Sequence, residues 1–110
     1  MSCLIVIPSN SEKAVYGLQL KRIKEEIGMC NKEMTLLNEQ IEIDEGFIKM
    51  ELENGNLGRV LNFRRRKDHR EYILHSYFDQ SLAVVKELKE LKDRWCAKYG
   101  APFRWRRWDN

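Results

Sequence analysis

Near one end of the 110-residue chain, Phe103-Arg104-Trp105-Arg106-Arg107-Trp108 interleaves three arginines with three aromatic rings. Such side chains suit two kinds of recognition. Aromatic and arginine groups dominate the hot spots of protein interfaces, and the same groups stack on nucleobases and grip phosphates. A structural use competes with both: Phe103 and Trp105 folding back to plug the open end of a helical hairpin against Tyr16 and Trp95, because large rings seek burial. A second basic cluster, Arg64-Arg65-Arg66-Lys67-Asp68-His69-Arg70, reads first as a solvated or ion-paired helix surface. Its second reading is a nonspecific phosphate contact that weakens steeply with salt. No helix-turn-helix, basic-zipper or finger context surrounds it.

Little else in the sequence carries chemistry. His69 and His75 do not share a helical face, and neither has a cysteine or acid at ligand spacing, so no metal site is expected. There is no glycine-rich phosphate loop and no nucleophile elbow; Gly55-Asn56-Leu57-Gly58 reads as a turn. The expectation is a chain with no catalytic residue and no cofactor, not an enzyme. The three cysteines, at 3, 30 and 96, are odd in number and lack metal spacing, which points to a reducing, cytoplasmic setting. The apolar run Leu4-Ile5-Val6-Ile7 is too short for a signal core. No window approaches the roughly 20 apolar residues of a membrane span, so no membrane partner is expected.

Long helices must position these groups. Charged residues make up 34% and hydrophobic ones 43%, with only 2 Pro and 6 Gly, a composition that favours helices over sheet or disorder. Tyr16, Leu20, Ile23, Ile27, Cys30, Met34, Leu37, Ile41 and Ile48 recur in alternating steps of four and three, with Asp44 filling the gap. A repeat of 3.5 residues keeps one stripe of a helix against a partner, which defines a coiled-coil seam. Val60, Phe63, Leu74, Tyr77, Val84, Leu88, Leu91 and Trp95 form a second seam, with Lys67, Arg70 and Ser81 at its polar places.

The predicted architecture is all-α: one domain folded as a long antiparallel coiled-coil hairpin. Its parts are an extended segment over 1–10, helix over 11–53, turn over 54–58, helix over 59–98 and a basic aromatic tail over 99–110. Ser9 with Glu12 fits a capping box at the start, and Asn54-Gly55-Asn56 breaks the helices in the middle. Folding back at that turn sets Tyr16 opposite Trp95, Leu20 opposite Leu91, Ile48 opposite Phe63, Leu52 opposite Val60, and Asp44 opposite Lys67. The last pair, each the polar exception in its seam, is expected to fix the register. Charge agrees: residues 39–58 hold six acids and one base, and residues 59–70 hold six Lys or Arg and one Asp.

A hairpin of this kind leaves apolar groups off its seams. Met29, Leu36, Ile43 and Met50 recur every seven residues, Phe47 sits between the last two, and helix two offers Ile73, Phe78, Leu82 and Val85. Contiguous apolar surface implies a partner. The sequence therefore predicts a homodimer closing a four-helix bundle, in a non-enzymatic adaptor, inhibitor or regulator that binds another protein. Its contact residues are Ile43, Phe47, Met50, Phe78, Leu82 and Phe103, Arg104, Trp105, Arg106, Arg107, Trp108. The alternative is a nucleic-acid binder using the same tail with Arg64, Arg65, Arg66, Lys67 and Arg70.

Overall fold

The computed structural model describes residues 7–100, and the expectations for residues 1–6 and 101–110, including the aromatic plug, lie outside the described residues. Two helices account for nearly all of it: α1, Asn10–Glu53, and α2, Leu57–Tyr99, packed against each other as an all-α helical hairpin.

Local chemistry sets the ends of both helices. The Ser9 side-chain oxygen accepts the Glu12 backbone N–H at 3.1 Å, and the Ser9 carbonyl accepts from Lys13, so Ser9 is the N-cap of α1. At the other end Gly55 takes φ of +73°, the left-handed conformation that only glycine adopts at little cost. The Gly55 N–H donates to the Leu52 carbonyl and the Asn56 N–H to the Glu51 carbonyl, the pair of bonds that defines a Schellman stop. Asn56 then opens α2, its carbonyl accepting from Val60. The turn is therefore shorter than the predicted 54–58: Leu57 and Gly58 belong to the first turn of α2, because Asn56 both ends one helix and starts the next. Gly100, at φ +70°, donates to the Cys96 carbonyl and closes α2 one residue beyond the expected boundary.

By packing, the chain divides into two units, Gly28–Leu82 and the combination of Met1–Ile27 with Ala83–Asn110. In the second of these, Tyr16, Leu20, Ile23, Val84 and Leu91 are buried together, flanked by Ile27, Leu88 and Trp95. Every member lies on a predicted seam. The Tyr16 and Trp95 rings sit 4.2 Å apart between centroids, the rung expected at this end. Full burial of side chains this size contributes roughly 1.5–3 kcal/mol each, which makes this cluster the apolar anchor of its unit.

The Gly28–Leu82 unit holds the turn and a seam of a different character. Cys30, Leu37, Ile41 and Val60 are buried in it, but so are Asp44 and Glu51. Glu51 continues the four-three alternation from Asp44 through Ile48, and this displaces the predicted Leu52–Val60 rung: Val60 is buried while Leu52 is exposed.

The two interior glycines of the turn region respond oppositely to a methyl group. At Gly46 an added Cβ meets nothing within 4 Å and the helix runs on through it, so Gly46→Ala should raise the unfolding free energy by about 1 kcal/mol. At Gly55 the positive φ makes alanine strained, and Gly55→Ala should lower it by about 1–2 kcal/mol. Urea denaturation followed by helical circular dichroism measures both, and equal signs would refute the assignment of the turn.

Candidate interaction surfaces

Several places in the Gly28–Leu82 seam are polar, and two of them, Asp44 and Arg70, are linked. Asp44, only 1% exposed, accepts a charge-assisted hydrogen bond from the Arg70 Nη1, and the same nitrogen donates to the Gln40 carbonyl at 3.2 Å. The predicted Asp44–Lys67 pair does not form. Lys67 reaches outward instead, to Glu45 at 3.2 Å and Glu71 at 3.8 Å. The reason is reach and donor geometry. A guanidinium one turn further along α2 presents several fixed N–H groups and bonds a buried carboxylate and a carbonyl together, whereas an ammonium is better hydrated at the edge. The hydrogen bond it donates to Glu45 holds the Lys67 ammonium above its ordinary pKa.

Glu51, the second buried acid, accepts from the Asn56 side-chain amide at 2.7 Å, with Arg59 at 3.7 Å. Sequence reasoning missed it, although its place in the alternation was visible. A carboxylate at a seam position beside Asn-Gly-Asn marks a turn held by side chains as well as by backbone.

These bonds divide the basic cluster. Lys67, Arg70 and Arg59 are engaged with Glu45, Asp44 and Glu51. Arg64, Arg65 and Arg66 are exposed and, among the described residues, have no ion pair. Lys67 and Arg70 are thus unavailable to phosphates unless the seam and its edge give way, while Arg64–Arg66 point to solvent.

The exposed apolar residues also separate. Phe47 stacks on Phe63 with centroids 5.0 Å apart and planes 11° from parallel, and Arg66 lies 5.6 Å from the Phe63 ring. Phe47, Met50, Asn62, Phe63, Arg59 and Arg66 line one shallow groove on that side. Ile48, Leu52, Lys49, Arg64, Lys67 and Asp68 line another groove. Residues seven apart share a helix face, so Arg64 continues to Phe78, and Asp68 continues two heptads on to Leu82. Ile43, Phe47 and Met50 therefore belong to one lateral face of this unit and Phe78 and Leu82 to the opposite one; all five are exposed. The single stripe expected from sequence is two stripes, because the seam runs between them.

In the other unit, the ends of the helices leave a shallow cavity of about 400 Å³ lined by Val15, Tyr16, Leu91, Trp95 and Tyr99 with Glu12, Arg94 and Lys98 at its rim. Tyr99 donates its hydroxyl to Glu12, and Trp95 packs on Tyr99 at 4.3 Å. Burial pushes the Tyr16 hydroxyl above its ordinary pKa. Arg22 bonds both Glu26 and Glu87, tying α1 to α2 on the surface.

Among the described residues no cluster of His, Cys, Asp or Glu could hold a metal ion, and no helix is long and apolar enough to cross a membrane. His69 and His75 are both exposed. No protein-family profile, curated protein or solved structure matches the chain.

Two tests follow from the buried groups. Arg70→Ala strands the Asp44 carboxylate in the seam and should cost about 3 kcal/mol or more. Asp44→Ala leaves an arginine whose side chain is 21% exposed and can turn to water, so its cost should be smaller, about 1 kcal/mol. Equal losses in urea denaturation would mean that Asp44 is not the desolvated partner. The raised Tyr16 pKa means that the unfolded chain ionises first. Its contribution is complete below pH 10 and is lost as pH rises through the folded value. Tyr16→Phe should therefore flatten the fall in melting temperature above pH 10 relative to the unmodified chain, and an unchanged slope would contradict this.

Proposed function

We propose that the chain is a non-enzymatic protein-binding module, an adaptor, inhibitor or regulator within a larger assembly, and that it closes into a four-helix bundle with a second copy. The observation that carries this reading is the presence of large apolar side chains on both lateral faces of one hairpin unit. Ile43, Phe47 and Met50 lie on one and Phe78 and Leu82 on the other. A two-helix unit buries only the seam between its helices, and exposed apolar surface of this extent normally marks an interaction site. Two faces support two contacts, one with a copy of the chain and one with a different protein. The tail Phe103–Trp108 adds the aromatic and arginine anchors typical of interface hot spots. The grooves are shallow, and the charged groups lining them pair acid with base, Glu51 with Arg59 and Glu45 with Lys67, which suits docking. The unpaired thiols of Cys30 and Cys96 fit a reducing, cytoplasmic setting.

One observation favours a second reading, nucleic-acid binding: the consecutive Arg64, Arg65 and Arg66 are all exposed with no acid paired to them among the described residues. Fluorescence polarisation with single- and double-stranded oligonucleotides at two salt concentrations separates the readings. Protein binding predicts no oligonucleotide affinity even at low salt; micromolar affinity that collapses with salt would favour the arginines acting on phosphates. The leading reading is tested by affinity capture from native cells, read by mass spectrometry and rebuilt with the purified partner. Phe78→Asp with Leu82→Asp, and deletion of 103–110, should each weaken the reconstituted complex at least about tenfold while helicity is kept. Undiminished binding by both variants would refute it.

A further inference from the structure

We propose that the second copy docks antiparallel on the Met29–Met50 face, with Glu33 of one chain meeting Arg66 of the other. The inference rests on the dimeric part of the function proposed above and specifies which face and which orientation the dimer uses.

An isologous interface must be self-complementary: if residue i touches residue j of the partner, j must touch i. The α1 stripe satisfies this in one orientation. Met29, Leu36, Ile43 and Met50 are exposed at seven-residue spacing along one face. Reversed about its midpoint the series reads Met-Ile-Leu-Met, so each methionine meets a methionine and Leu36 meets Ile43, side chains of matching bulk at every level. On the opposite face the matching seven-residue series is Leu61, Asp68, His75 and Leu82, whose two middle levels are polar, so no continuous apolar contact forms on reversal.

Charge selects the same orientation. Glu33 is half-buried and, among the described residues, takes no ion pair. It lies on the side of α1 that carries Phe47, two heptads before it. Arg66 is exposed, has no acid partner and lines the groove with Phe47 and Met50. Reversing the stripe brings Glu33 to the level of Gly46 in the second copy, one residue from Phe47, and so near that copy's Arg66. The two-fold axis repeats the contact, giving two Glu33–Arg66 pairs across the interface. The parallel alternative sets the stripe of α1 over α2 of the second copy and leaves the methionine palindrome without a use. The four apolar levels span about 32 Å at 1.5 Å per residue, long enough for a continuous helix–helix contact.

Sedimentation equilibrium of the full chain, kept reduced, tests the proposal, with circular dichroism confirming that each variant keeps its helicity. The unmodified chain should be a dimer. Ile43→Asp should raise the dimer Kd by tenfold or more, on the order expected for a charge placed in an apolar contact. Glu33→Arg and Arg66→Glu should each raise it by roughly tenfold, and the double variant should return it to near the original value. A double variant no better than the singles would overturn the antiparallel pairing. A dimer disrupted by Phe78→Asp but not by Ile43→Asp would overturn the choice of face while leaving dimerisation standing. A chain that stays monomeric at all attainable concentrations would overturn both this inference and the dimeric reading beneath it.

Discussion

A buried carboxylate held by one guanidinium sets the terms for the turn-bearing half of this hairpin. Asp44 sits in a seam otherwise filled by Leu37, Ile41 and Val60, where an unpaired charge would cost several kcal/mol. Arg70 answers it and also caps the Gln40 carbonyl. Sliding α2 by one heptad against α1 would remove the guanidinium and bring an apolar residue to the carboxylate. The pair adds little net stability over two leucines, but it makes wrong alignments expensive, and every surface described above depends on the alignment.

The two packing units differ in what holds them. Around Tyr16 and Trp95 the interior is aliphatic and aromatic, and its bonds lie on the outside, where Arg22 links Glu26 and Glu87. Around the turn the interior is partly polar, and the bonds lie inside, from Asp44 and Glu51 to Arg70, Asn56 and Arg59. Apolar packing tolerates small readjustments, whereas a desolvated ion pair does not. The turn end therefore carries most of the specificity, and the aromatic end relies on apolar packing.

Most of this fold was legible in the residues. The four-three spacing of Tyr16 to Ile48 and the Asn-Gly-Asn break lead directly to two antiparallel helices, and Ser9 marks the start through its spacing from Glu12. What escaped has a common cause. Heptad arithmetic treats a seam position as a point, but a long side chain reaches a neighbouring level. Arg70 thus replaced Lys67 beside Asp44, and Glu51 took the place expected for Leu52 because Asn56 and Arg59 were there to receive it. The division of the apolar residues into two faces follows from counting sevens on α2 as well as on α1. It becomes visible only once Arg64 and Arg66 are seen to flank opposite sides of the seam. The tail, with its arginines and tryptophans, is equally conspicuous in sequence and lies outside the described residues.

The two described cysteines give the molecule an internal clock. Cys30 is wholly enclosed where the helices meet, while Cys96 stands open on the surface. A thiol-alkylating reagent labels an open sulfur at the intrinsic rate of the thiolate, but a sealed one only during the intervals when the surrounding structure breathes. The ratio of the two labelling rates within one chain therefore reports how often the zipper parts near Cys30, with no added probe.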